Sequence, residues 1–267
     1  MSLAESDPKR YLLIVSYTCP FARRTLLARA LLGLKDLQVH YVLPFHKEDR
    51  WAFGDEAPGS SGPCPLDLSA KFLLDIYTKF PLENWDQVDS VPYLVDKQTC
   101  KGVSNGSADI VSFLRNKLAL PASAFKFPDE EKLDFWEFAS FIGASFELAE
   151  ASTQEQWDNS ARELYAALKK CDDHLKVNKF CQGDVFSKDD VLFWPFLMSW
   201  ETSHRFTCKL NVSLGTHFPN CFAYLKRVAE VLPDKTMIGS VYNQANVDFG
   251  RCYGEKIISK IPDVPLF

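Results

Sequence analysis

Residues Tyr11 to Ser16 read YLLIVS, an almost unbroken apolar run rich in aromatic and branched side chains, which predicts a buried strand. After Tyr17-Thr18 the apolar spacing turns helical, from Cys19-Pro20 to Leu34. Leu37 to Val42 (LQVHYV) then alternates as a second strand, and strand, helix and strand in so short a span predict a parallel pair. Residues 43–66 carry Trp51 and Phe53, five glycines or prolines between Pro58 and Pro65, and no period, so a long surface loop is predicted there. Loops of that length tend to be functional or disordered. Leu66 to Phe80 recovers a helical period with Phe72, Leu73, Ile76 and Tyr77 on one face. Ser90 to Asp96 predicts a strand that Pro92, which has no N–H for a ladder, enters at its start or edge. The Val91–Pro92 bond is of the kind that can be cis at modest cost. Thr99 to Lys101 reads as a turn and Gly102 to Ser104 as a short strand. Asn105-Gly106-Ser107 opens a helix over Ala108 to Leu118, with Ser107 as its cap.

The pattern changes after Leu118. Residues 119–128 (ALPASAFKFP) hold two prolines and no period, which predicts a linker between domains 1–118 and 129–267. Helices are predicted over Asp129–Glu150, Thr153–Leu175, Ser187–His204 and Phe218–Leu232, the third opening on a capping-box-like Ser187-Lys188-Asp189-Asp190. Residues 237–267 read as an extended tail. A small β-α-β-α-β-β-α domain followed by an all-helical one is the expected architecture.

Charge and composition narrow the function. With 30 basic and 35 acidic residues the net charge is −5, without the basic excess of a nucleic-acid binder. No apolar run approaches the ~20 residues of a membrane span, and MSLAESDPKR lacks the order of a secretory signal, so a cytoplasmic protein that engages no membrane is expected. Eight scattered cysteines include no Cys-x-x-Cys pair and do not read as a disulfide framework. Cys171, His174 and Cys181 fit no common zinc spacing, so no metal is expected.

Cys19 stands out because it sits at the mouth of a predicted helix. Free N–H groups and the macrodipole there favour a thiolate, and Pro20 suits the first turn. Arg23 and Arg24, within one turn, either deepen that effect or point to solvent; a buried cysteine acting as a small hydrophobe is the plainer alternative. Without a neighbouring thiol, Cys19 chemistry would be monothiol. The helix start at Ser107 offers N–H groups to an anion such as a carboxylate, or is ordinary capping.

Taken together, the order of strand, Cys-Pro helix, Val-Pro strand and Ser-started helix before a helical domain resembles the cysteine-type, thioredoxin-fold glutathione transferases. Within them it is closest to the glutathionyl-hydroquinone reductases, or xi class, and is also omega-like. The motif Cys-Pro-Trp-Ala followed by His-Arg-Thr is similar to Cys19-Pro20-Phe21-Ala22-Arg23-Arg24-Thr25. Trp51 looks like the tryptophan of the family's long second loop, Leu73 to Tyr77 like its Leu-x-x-x-Tyr, and Val91 to Lys97 like its Val-Pro-Val-Leu-Trp-Asp-Lys. Tyr224-Leu225 and the stretch from Tyr253-Gly254 to Leu266 resemble its C-terminal end.

The resemblance implies the glutathione transferase fold, an α/β thioredoxin-like N-terminal domain plus an all-α C-terminal domain, and a homodimer. It implies glutathione as co-substrate, with an S-conjugate, an apolar electrophile or a small oxidant as the second partner. Cys19 would be the nucleophile, and the edge at Val91 and Pro92 would pair with the cysteinyl backbone of glutathione. Ser107 would bind the glutamyl carboxylate, and Phe21 and Trp51 would form an apolar wall. Arg24 is a candidate for anion pairing. The chain departs from the pattern in three places. Gly106 replaces a glutamate that holds the γ-glutamyl end, with Asp109 one turn away, and Ser145-Phe146-Glu147 replaces Val-Tyr-Lys. Trp200 to His204 lacks the second substrate-side tyrosine. A reductase using another low-molecular-weight thiol and a binding or scaffold protein of the same fold are the alternatives.

Overall fold

Strand β1 (Tyr11–Val15) is buried along its whole length, as its unbroken apolar run requires, because both of its faces are covered. The structure is a computed structural model that describes residues 3–57, 59–86, 88–118, 136–210 and 212–231. These fall into two compact units, 3–118 and 136–231. The expected linker at 119–128, residues 129–135 and the expected tail at 237–267 lie outside the described residues.

In the first unit a four-stranded sheet has the order β2-β1-β5-β6. β2 (Gln38–Tyr41) runs parallel to β1, and β5 (Tyr93–Asp96) and β6 (Lys101–Ser104) are antiparallel neighbours beyond it. Helix α1 (Pro20–Leu31) makes the crossover and packs on α3 (Ser107–Phe113), which continues as a π-helical turn over Leu114–Leu118. A buried pair, Arg10 Nε to Asp96 Oδ1 at 2.9 Å, ties the start of β1 to the end of β5. Asp96 is held down to about 2; although burial pushes it up, the Arg10 guanidinium and the N–H groups of Gln98 and Thr99 favour the charged form.

Three expectations change here. The region 43–66 is not irregular throughout, since it contains a hairpin of β3 (His46–Lys47) and β4 (Arg50–Trp51). Helix α2 spans only Leu73–Lys79, not Leu66–Phe80. The Asp75 carboxylate accepts the N–H groups of Lys71 and Phe72 at 2.9 and 3.0 Å and so fixes the helix start at Leu73. The cap of α3 is Gly106, and Ser107 is its first helical residue. Of the face expected from the spacing, Leu73, Ile76 and Tyr77 are buried on α2 and Phe72, its partly buried N-cap residue, precedes the helix; the Val91–Pro92 bond is cis.

The second unit is helical. Its elements are α4 (Trp136–Glu150), α5 (Gln154–Val177), α6 (Lys188–Ser199), the short α7 (Arg205–Thr207) and α8 (Leu214–His217), and α9 (Pro219–Val231). The helix expected to reach His204 leaves α geometry at Ser199 and forms a π-helical turn over Trp200–His204. Thr153 and Gln156 form a capping box at α5. Ser187 and Asp190 form one at α6, and Asp190 does more than cap: buried completely, it accepts Ser187 N at 2.7 Å, Ser187 Oγ at 3.0 Å, Cys181 N at 2.9 Å and Tyr224 Oη at 2.9 Å. One carboxylate thereby joins the start of α6, the preceding loop and α9. Replacing Asp190 with Ala strands four donors in the core, and urea denaturation should show a loss of about 3 kcal/mol or more, with Asp190→Asn losing less.

Candidate functional site

Cys19 is placed by the end of β1 and the start of α1. Past Val15 the chain turns, with Ser16 Oγ and Thr18 Oγ1 2.9 Å apart and Thr18 Oγ1 donating to Pro44 O at 2.9 Å. Cys19 is the N-cap residue of α1, in extended conformation, with Pro20 at the first helical position. Its thiol, on a partly exposed residue, donates to Val91 O at 3.3 Å.

Val91 is brought there by sheet pairing, because β1 and β5 set Ile14 opposite Tyr93. Tyr77 steadies the approach: its hydroxyl donates to Ser90 O at 2.8 Å and its ring stacks on Tyr93 at 3.8 Å between centroids. The motif Leu73 to Tyr77 thus orients the segment just before Val91. Trp51 and Cys19 both pack on the buried cluster that holds Val91, Phe53 and Tyr77.

The electrostatics of the thiol differ from expectation. Desolvation is the strongest influence and pushes Cys19 up from the ordinary thiol value. The backbone N–H groups of Ala22 and Phe21, and then the charges of Arg23 and Arg24, draw it down without cancelling the burial. The hydrogen bond to Val91 O also favours the protonated form. Burial thus opposes the thiolate that the helix mouth alone favours, because a helix N-terminus attracts charge but does not solvate it fully in an apolar setting.

Neither arginine points to solvent. Arg23 is buried and donates from Nε to Tyr17 O at 2.8 Å. Arg24, only 7% exposed, lies over the Phe21 ring at 5.1 Å and donates to Ser107 Oγ at 3.1 Å. Burial draws both guanidinium groups down to about 10, so they remain cations at neutral pH. α1 is buried on most of its circumference, and the leucines and alanines interleaved with these arginines are the sequence signal for it.

The structure thus brings Cys19, Phe21, Val91, Pro92 and Ser107 onto α1, α3 and the start of β5, with Trp51 on the hairpin that packs on the same cluster. In the second unit Ser145 is buried and donates to Ile142 O at 2.7 Å, Phe146 is exposed, and Trp200 is fully buried. Among the described residues no cluster of His, Cys, Asp or Glu is placed to hold a metal ion, and no helix is long and apolar enough to cross a membrane.

Since burial raises the Cys19 thiol, its deprotonation comes with rising pH. The rate of Cys19 alkylation in ligand-free protein should keep climbing through the ordinary thiol range, measured by mass spectrometry against Cys19→Ser. A plateau already reached at neutral pH would show that the N–H groups and the two arginines outweigh burial.

No family model matches the chain. A glutathionyl-hydroquinone reductase of Escherichia coli, YqjG, is 26% identical over 237 residues, covering 86% of this chain and 71% of its own. The glutathione S-transferase omega-like 2 of Schizosaccharomyces pombe is 25% identical over 240 residues, covering 84% of this chain and 75% of its own. The glutathione-bound structure of YqjG superposes with a TM-score of 0.81 at 24% identity, over 93% of this chain and 81% of that one. The chain has the glutathione transferase fold, and in sequence it resembles the glutathionyl-hydroquinone reductases, the xi class of that superfamily.

Proposed function

We propose that the chain is a glutathione-dependent reductase that uses Cys19 alone to remove glutathione from S-conjugates such as glutathionyl-hydroquinones. The observation that carries this reading is the position of the sulfur: at the first turn of α1, 3.3 Å from the main-chain edge at Val91. An apolar cysteine with only a packing role needs neither feature.

In this reading the peptide N–H of a bound cysteinyl residue donates to Val91 O. An amide is a stronger donor than S–H, so it displaces the Cys19 thiol from that carbonyl. The freed sulfur turns to the N–H groups of Phe21 and Ala22 and gives up its proton. The Cys19 thiolate attacks the sulfur of the conjugate: an S–S bond forms, the C–S bond breaks, and its electron pair with one proton leaves on the aromatic carbon. A second glutathione thiolate then attacks the mixed disulfide, releasing oxidised glutathione and the Cys19 thiolate. Net, the conjugate is reduced and two glutathionyl sulfurs are oxidised. Ser107 and Arg24 would hold the glutamyl carboxylate, and Phe21 and Trp51 would wall the apolar side.

Two measurements test this. Intact mass after incubation with glutathionylated menadione should show one glutathione adduct that disappears with excess thiol and is absent from Cys19→Ser; adducts spread over other cysteines would refute the reading. In addition, the Cys19 thiolate absorbance, taken as wild type minus Cys19→Ser, should titrate at lower pH with S-methylglutathione bound than without it. An unchanged titration would remove Val91 O from the mechanism.

A further inference from the structure

We propose that Tyr77 is a positioning residue for the chemistry at Cys19: its hydroxyl holds Ser90, and through Ser90 it fixes the Val91 carbonyl that the thiol, and then the ligand's backbone, must meet. The ligand half of this inference rests on the glutathione reading above. Sheet pairing carries β5 only as far as Tyr93, set opposite Ile14, two residues short of Val91. Pro92 has no N–H with which to extend the ladder. Among the described residues, Ser90 and Val91 make no hydrogen bond from main chain to main chain. Both main-chain groups of Ser90 turn instead to one side chain: Tyr77 Oη donates to Ser90 O at 2.8 Å and accepts from Ser90 N at 3.3 Å. The hydroxyl thus does for Ser90 what a neighbouring strand does for a residue in a ladder.

Packing does not need this hydroxyl. The Tyr77 ring is fully buried and stacks on Tyr93 at 3.8 Å with 10° between planes, contacts that a phenylalanine would keep. A buried hydroxyl is costly unless bonded, so its place in the fold comes from what it holds. The segment has two other anchors among the described residues. Asp89 Oδ1 accepts from Arg50 Nη1 at 3.2 Å, but Arg50 is half-exposed and such pairs hold weakly. Val91 O is bound by the Cys19 thiol at 3.3 Å, the bond that a ligand must replace. Tyr77 is therefore the buried anchor that stays in place while Val91 changes partners. From the turn before α3 the Asn105 side chain reaches the same hydroxyl. The charged groups acting on the sulfur are Arg23 and Arg24, and the one acting on Tyr77 is Asp89.

The test compares the full chain with Tyr77→Phe, which keeps the ring and removes the hydroxyl. With Ser90 released, Val91 O loosens its hold on the thiol. Alkylation of Cys19 by iodoacetamide, followed by mass spectrometry, should then reach half its limiting rate about half a pH unit lower. KM for glutathionylated menadione should rise about fivefold with kcat changed much less, because the carbonyl that pairs with the cysteinyl N–H is no longer fixed. An unmoved or raised alkylation midpoint in the folded variant would make Tyr77 merely structural and overturn the proposal, whatever its melting temperature or KM. If Tyr77→Phe does not fold, Asn105→Ala, on a partly exposed turn, withdraws support from the same hydroxyl and is judged by the same midpoint. Alkylation needs no glutathione, so it decides the role of Tyr77 even if wild type fails to turn over the conjugate, a result that would overturn the glutathione reading alone.

Discussion

The antiparallel pairing of β1 with β5 is the constraint on which the site depends. Cys19 and Val91 are 72 positions apart, and nothing local draws them together. The register that sets Leu13 opposite Leu94 and Ile14 opposite Tyr93 brings the two strand ends level. A slip by one residue would turn the buried side chains of β5 to the wrong face, so the hydrophobic core enforces the register and the register enforces the thiol's position. Tyr77 adds a second fastening, stacked on Tyr93 and bonded to the main chain at Ser90.

Placed there, the sulfur feels opposing influences of similar kind. The helix terminus and two buried arginines favour charge, whereas the apolar surroundings and the Val91 carbonyl favour the neutral thiol. A site arranged in this way gains thiolate when something else occupies the carbonyl. Burial that disfavours the thiolate also has a chemical merit, since a protonated thiol is a poor target for oxidants that need the thiolate.

How much of this was legible in the residues depended on whether the signal was local. The β1 run, the Cys-Pro step and the Ser187–Asp190 capping box are local, and all three appear in the structure. The hairpin at 46–51 was not legible, because strands of two residues carry no period. Ser107 looked like a cap by residue type, but its hydroxyl is bonded to Arg24, and Gly106 takes the cap position. The burial of Arg23 and Arg24 is not legible in the residues, because charged side chains usually face water and only tertiary packing shows which do not. Similarly, the helix dipole can be read from a sequence and desolvation cannot, which is why the direction of the Cys19 shift came out opposite to expectation.

The division of labour between backbone and side chains explains where the chain departs from its relatives' pattern. The hydrogen-bonding groups at the sulfur are main chain, the N–H groups of Phe21 and Ala22 and the carbonyl of Val91, with the Arg23 and Arg24 cations adding charge. Only a proline would delete the two N–H groups, and no substitution at Val91 deletes its carbonyl, as long as the strands and α1 hold. The α3 end is different, being built from the side chains of Arg24 and Ser107 beside a glycine. The departures at Gly106, Phe146 and Trp200 all concern side chains and leave the main-chain groups at Cys19 in place. A chain that keeps Cys19 and the strand pairing therefore keeps the thiol's main-chain surroundings, whatever stands at those three positions.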